Sequence, residues 1–195
     1  LFKGDLDKIF NKLNGKDLSY NNLLDVDSAI KLISEFSDPT FAIIKHNNAC
    51  GIASSKDSLS SYLLALQADP LSAFGGVLIS NTKIDYKTSL EVDKLFFEIL
   101  IAPEFDKQAL DILKSKKNRI ILHQKTTNIQ NLSYRNILNG VIQQDQDNIE
   151  NNSKNWSLVT NTSANLDEIK DLEFANKIVK HSKSNAIVLV KNKQM

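Results

Sequence analysis

The sequence predicts an α/β fold in which a largely parallel sheet is covered by helices. Short continuous apolar runs such as Phe41–Ile44, Val77–Ile79 and Ile120–Leu122 have the form of strands buried on both faces. Stretches with apolar residues at helical spacing lie between them, and proline or glycine separates the two kinds.

The elements follow in order. Val26, Ala29, Ile30, Ile33 and Phe36 share one helix face, which predicts a helix from about Leu24 to Phe36, closed by Asp38-Pro39. Phe41–Ile44 then reads as a buried strand whose end carries Lys45-His46. Leu59, Tyr62, Leu63 and Leu66 form the next helix face, which stops at Asp69-Pro70 because proline disfavours a helical residue before it. After Gly75-Gly76, Val77–Ile79 is a second strand. Thr88 and Glu91 have the capping-box spacing, opening a helix through Leu95, Phe96 and Ile99 that turns into a strand before Pro103. Asp106 caps a helix carrying Ala109, Leu110 and Leu113, and Ile120–Leu122 is a further strand. His123–Asn155, rich in Gln, Asn and Asp, reads as an irregular connector with a strand or two in it. Trp156–Thr160 reads as a strand, Asp167–Lys180 as a helix and Ala186–Val190 as a strand, repeating the helix-then-strand order of the first 45 residues.

Composition narrows the function. The 195 residues carry 24 Lys+Arg against 23 Asp+Glu, a net charge of +1, which lacks the cationic excess of a general nucleic-acid binder. The longest apolar runs are far below the roughly 18 residues of a bilayer span. The single cysteine, Cys50, forms no internal disulfide, and with three histidines it offers no zinc spacing, so no metal and a reducing, cytoplasmic compartment are expected. The chain begins at Leu1 without an initiator methionine and stops at Met195 just after a strand-like segment, which predicts a fragment.

Three polar segments are candidate sites. Lys45-His46-Asn47-Asn48-Ala49-Cys50-Gly51 follows a buried strand, where ligand sites of α/β sheets gather. There Lys45 offers a cation and His46 a titratable base; the alternative is a solvated lysine and an ordinary loop histidine. Cys50 has no evident orienting partner beyond His46 and is read as a small, partly buried residue rather than a nucleophile. Asp69-Pro70-Leu71-Ser72-Ala73-Phe74-Gly75-Gly76 has the make-up of a ligand-facing loop or, equally, of a turn, and does not match a P-loop. Lys180-His181-Ser182-Lys183-Ser184-Asn185 precedes a strand, and its cations are read as complementing a helix end.

Together these segments, with Leu18–Asp25, Ile101–Phe105, Lys116–Arg119 and Lys183–Ile187, resemble in order the formyltransferase part of the bifunctional purine biosynthesis enzymes. That resemblance implies transfer of a formyl group from the co-substrate 10-formyltetrahydrofolate to the 5-amino group of aminoimidazole carboxamide ribotide (AICAR). It implies that Lys45 and His46 are the catalytic pair, with Asn185 orienting the formyl oxygen. Asp69 would contact the nucleotide, and Asn21, Asn22, Ser72 and Gly75 would border the same pocket. It further implies a cytidine deaminase-like α/β sandwich, with residues 1–150 forming most of a first lobe and 151–195 opening a second. A homodimer is implied for the full-length protein. The chain departs from the family pattern at Ala49, where proline is usual, so the loop loses a fixed φ. The cyclohydrolase part and further nucleotide- and folate-binding segments are missing, so the isolated chain is expected to be inactive. A non-catalytic nucleotide-binding, folate-binding or dimerisation module is the alternative.

Overall fold

In the computed structural model, which describes residues 4–126, 131–149 and 152–195, the apolar run after Pro39 is an inner strand of a six-stranded sheet. The strands are β1 (Phe10–Asn14), β2 (Thr40–Lys45), β3 (Asn48–Ser54), β4 (Gly76–Ser80), β5 (Phe97–Ala102) and β6 (Ile120–Gln124). The helices are α1 (Tyr20–Ile33), α2 (Ser58–Ala68), α3 (Tyr86–Val92), α4 (Lys107–Leu113) and α5 (Leu166–Lys180). Spatial order in the sheet is β1-β6-β5-β4-β2-β3.

Burial on both faces explains why the strands read as unbroken apolar runs. Ala42, Ile44, Val77, Ile79, Ile99, Ile101, Ile120 and Leu122 point to the face covered by α1 and α5. Phe41, Ile43, Leu78, Leu100, Ala102 and Ile121 point to the face covered by α2, α3 and α4. The α/β class is therefore as the sequence predicts, but the sheet is mixed rather than largely parallel. Only β4–β5 and β5–β6 are parallel, whereas β2 runs antiparallel to both β3 and β4 and β1 antiparallel to β6. A doubly buried strand carries no alternation, so its sequence does not encode its direction.

Several boundaries move for local reasons. Helix α1 starts at Tyr20 because Ser19 and Asn22 form a reciprocal capping box. Helix α3 is capped by Asp85, whose carboxylate accepts the Thr88 N–H at 2.7 Å, and it ends at Val92; Thr88 is not the cap and Phe96 is outside the helix. The connector after His123 holds a separate two-stranded hairpin, β7 (Leu132–Ile137) with β8 (Gly140–Asp145). Trp156–Thr160 forms no strand, and Leu158 and Val159 face solvent. Ala186–Val190 is extended without joining a ladder: Val188 and Val190 pack on the α1/α5 side of the core, whereas Ile187 and Leu189 are 90% and 82% exposed.

The repeated helix-then-strand order has a geometric counterpart. Helix α5 opens on a capping box from Asn165 and Glu168, as α1 does from Ser19 and Asn22. Each helix is followed by an extended segment and then a tight turn with both central residues at positive φ, His46-Asn47 in the first case and Asn192-Lys193 in the second. Ser19 and Asn165, Asp25 and Asp171, and His46 and Asn192 are each 146 positions apart.

Candidate active site

The segment Lys45–Gly51 is not an irregular loop beyond a strand end but the tip of a tight hairpin. Lys45 pairs with Asn48, so only His46 (φ 52°) and Asn47 (φ 65°) make the turn. Positive φ at both central residues is the type I′ geometry, which matches the right-handed twist of the flanking strands. Ile44 faces Ala49 and Ile43 faces Gly51, so Cys50 is the extra residue of a β-bulge. The sequence hides this hairpin because its turn is His-Asn rather than Asn-Gly, and in β3 (NACGIAS) every residue but Ile52 is small or polar.

The tip is tethered on two sides. From α1, the Asp25 carboxylate accepts the Asn47 N–H at 2.8 Å, and the Leu24 carbonyl accepts the Asn47 side-chain amide at 3.3 Å. From beyond α5, the Lys183 N–H donates to Asn48 Oδ1 at 3.0 Å and its ammonium approaches the His46 carbonyl at 3.4 Å. Chain segments far apart in sequence therefore meet at one hairpin, and the loop that bears Asn185 is one of them. Asn185 itself is exposed.

On the other flank lies the Asp69–Gly76 loop. The Lys45 ammonium donates to the Phe74 carbonyl at 2.7 Å, which leaves two further N–H donors on that side chain. Gly75 sits at φ +68°, and a Cβ there would lie 3.3 Å from the Lys45 nitrogen. Asp69 is held in the loop by Ser72, whose hydroxyl donates at 2.6 Å and whose N–H donates at 3.0 Å. These bonds, the hydroxyl's first, keep the Asp69 carboxyl below its ordinary pKa. Phe74 is exposed and packs against Phe96, ring centroids 4.9 Å apart.

Cys50 connects the two flanks. Burial, and then the nearby Asp69 charge, push its thiol up to about 11, against a smaller opposing effect of Lys45. Both charges thus lie within electrostatic reach of one sulfur, while the thiol itself is a poor nucleophile at neutral pH. His46 is exposed, and among the described residues its ring has no hydrogen-bond partner.

The structure therefore brings Lys45, His46, Asp69, Ser72 and Gly75 to the hairpin tip and its neighbouring loop. Asn21 is exposed in the first turn of α1, and Asn22 has its side-chain oxygen committed to the capping box. Asn48 and Lys183 lay in candidate segments and Asp25 in a resembling one, but nothing in the spacing of Asp25 or Lys183 marks a long-range tether to the hairpin. His181 and Lys180 do not join the site: both contact Glu35, at 2.8 and 2.6 Å, and fasten α5 to the end of α1. Burial raises the Glu35 pKa, but these two partners outweigh it and hold the carboxyl low. A cavity of about 550 Å³ lined by Glu35, Asp38, Lys170, Phe174 and Lys177 is separate from the hairpin tip. Among the described residues no His, Cys, Asp and Glu cluster is arranged to hold a metal ion, and no helix is long and apolar enough to cross a membrane.

The family model described as AICARFT/IMPCHase bienzyme matches residues 3–195. The chain belongs to this family. Similar proteins include the bifunctional purine biosynthesis protein PurH of Bacteroides thetaiotaomicron, 53% identical over 195 residues, which span all of this chain and 38% of that protein. The PurH proteins of Caldicellulosiruptor saccharolyticus and Petrotoga mobilis are each 45% identical over 184 residues, covering 93% and 94% of this chain and 36% of theirs. The chain thus spans a little over a third of the length of these relatives. In this chain the hairpin tip carries Lys45 and His46, and Lys45 reaches the loop that bears Asp69.

Proposed function

We propose that this chain carries the catalytic hairpin of an AICAR formyltransferase, which moves a formyl group from 10-formyltetrahydrofolate to the 5-amino group of AICAR in IMP synthesis. The observation that supports this most is the Lys45-His46 tip set beside the Asp69–Gly75 loop, with the Asn185 loop tied to its other side.

The chemistry requires such a set. The amine is conjugated to the imidazole ring and is a weak nucleophile, so attack on the formyl carbon needs its proton removed as the new C–N bond forms. His46, whose exposed ring has no hydrogen-bond partner among the described residues, takes that proton. The tetrahedral oxyanion gains from a fixed donor, the role assigned to the Asn185 amide. Collapse breaks the bond between the formyl carbon and the folate nitrogen, and that nitrogen must leave protonated. The Lys45 ammonium, anchored to Phe74 O by one N–H, has donors left to favour this departure. Asp69, kept ionised by Ser72, would accept hydroxyls of the nucleotide. The homodimer and the cytoplasmic setting belong to the same reading of the full-length protein.

In the protein at the full length of its relatives, formylated AICAR should form from the two substrates, and His46→Ala should slow the reaction at least about a hundredfold, the lower end for loss of a general base. Normal turnover in His46→Ala would end this assignment.

A further inference from the structure

We propose that Asp25 is a positioning residue that sets the orientation of the His46 imidazole by clamping the turn that carries it; this rests on the formyl-transfer reading above. Both central residues of the turn occupy the left-handed region, at φ 52° and 65°, a conformation that L side chains hold only when the surroundings fix it. In a two-residue hairpin the N–H of the second central residue points away from the ladder and needs an outside acceptor. Asp25 Oδ1, from a helix 22 positions earlier in the chain, takes it at 2.8 Å. The turn carries no glycine and no aspartate of its own, so the acceptor has to come from elsewhere.

The second copy of this geometry shows that the contact is a device of the chain and not an accident of one loop. Asp171 occupies the same place in α5, six residues after the N-cap, and its carboxylate accepts the N–H of both Asn192 and Lys193 at 2.7 Å. That turn bears no residue assigned to the chemistry. The two aspartates therefore form a built-in pair of test and control, with one clamping a turn that bears the imidazole and the other a turn that does not. The His46 carbonyl, already approached by Asn48 and Lys183, fixes the opposite side of the same peptide group, so loss of Asp25 frees the tip to pivot rather than to unfold.

The experiment uses the protein at the full length of its relatives. Asp25→Ala should lower kcat about tenfold, as a displacement of less than an ångström would, and leave KM for both substrates within about twofold. Asp25→Asn, which still offers Oδ1 as an acceptor, should recover kcat to within about threefold of the parent. In a His46→Ala background Asp25→Ala should cost nothing further, because a residue acting through the imidazole has nothing left to position. Asp171→Ala should leave kcat within about twofold. Equal losses from Asp25→Ala with and without His46, or no recovery with asparagine, would overturn the proposal. Amide hydrogen exchange at Asn47 is read in parallel: it should accelerate in Asp25→Ala and stay unchanged in Asp171→Ala. If the parent transfers no formyl group, the function falls, whereas the clamp is still decided by Asn47, and unaltered exchange there refutes it.

Discussion

Replacement of Gly75 by alanine separates the stability of the site loop from its chemistry. Gly75 is held at φ +68° with its N–H donating to Phe96 O at 2.8 Å, so an alanine there must adopt the left-handed conformation. That costs roughly 1–2 kcal/mol per residue. Loss of glycine's freedom in the unfolded chain returns about 0.4–1 kcal/mol, leaving a net destabilisation of about 1 kcal/mol. For a domain of this size the melting temperature should fall by about 2–4 °C. The added methyl would also lie 3.3 Å from the Lys45 nitrogen, close enough that the flexible ammonium must give by a fraction of an ångström. Activity should then fall about three- to tenfold, more than the small loss of folded protein explains. The assay pairs a thermal melt with steady-state kinetics in the full-length protein, and Gly140→Ala in the distant hairpin serves as reference, since a Cβ there meets only the Ile137 carbonyl at 3.6 Å. A Gly75→Ala protein with a lowered melting temperature but unchanged kcat would show that Lys45 does not act from beside this loop.

Other outcomes test neighbouring parts of the account. Cys50, with its thiol pushed up to about 11, should react with iodoacetamide at pH 8 much more slowly than a free cysteine, and Cys50→Ser should retain transfer within about threefold. Because its folded pKa is raised, the stability linked to this thiol is full below the ordinary value of 9.0 and is lost as pH rises toward 11, so denaturant midpoints of the parent should fall in that window more than those of Cys50→Ser. Gly51→Ala should destabilise by about 3 kcal/mol, the upper end for overpacking, because its Cβ would overlap the Ala65 carbonyl oxygen of α2, a backbone atom that cannot swing aside. A Gly51→Ala protein that melts like the parent would mean α2 does not press on β3.

Much of this fold is legible in the sequence where burial is strong. Phe41–Ile44, Val77–Ile79 and Ile120–Leu122 announce themselves because both faces are covered, and α1 and α5 because one face of each is apolar. Strand β1 (FNKLN) is an edge strand with only Phe10 fully buried, so nothing separates it from a polar loop. Strand β3 is concealed by its small residues, and with it the hairpin that places His46. Ala186–Val190 shows the converse, since apolar composition marks an extended segment but hydrogen-bond partners make it a strand, and none of the described residues pairs with it. The candidate residues Lys45, His46 and Asp69 were legible as chemistry-bearing types. The hairpin that places Lys45 and His46 was not, because it depends on the bulge at Cys50 and on tethers from Asp25 and Lys183.

The most direct test is the position of the nucleotide itself. In a crystal structure of the full-length protein soaked with AICAR, the carboxamide and amine should lie within hydrogen-bond distance, about 3 Å, of the His46 ring, on the side where Lys45 meets Phe74. AICAR bound instead in the cavity between Lys170, Lys177 and Glu35, with the hairpin tip untouched, would contradict the assignment of this chain's chemistry to Lys45 and His46.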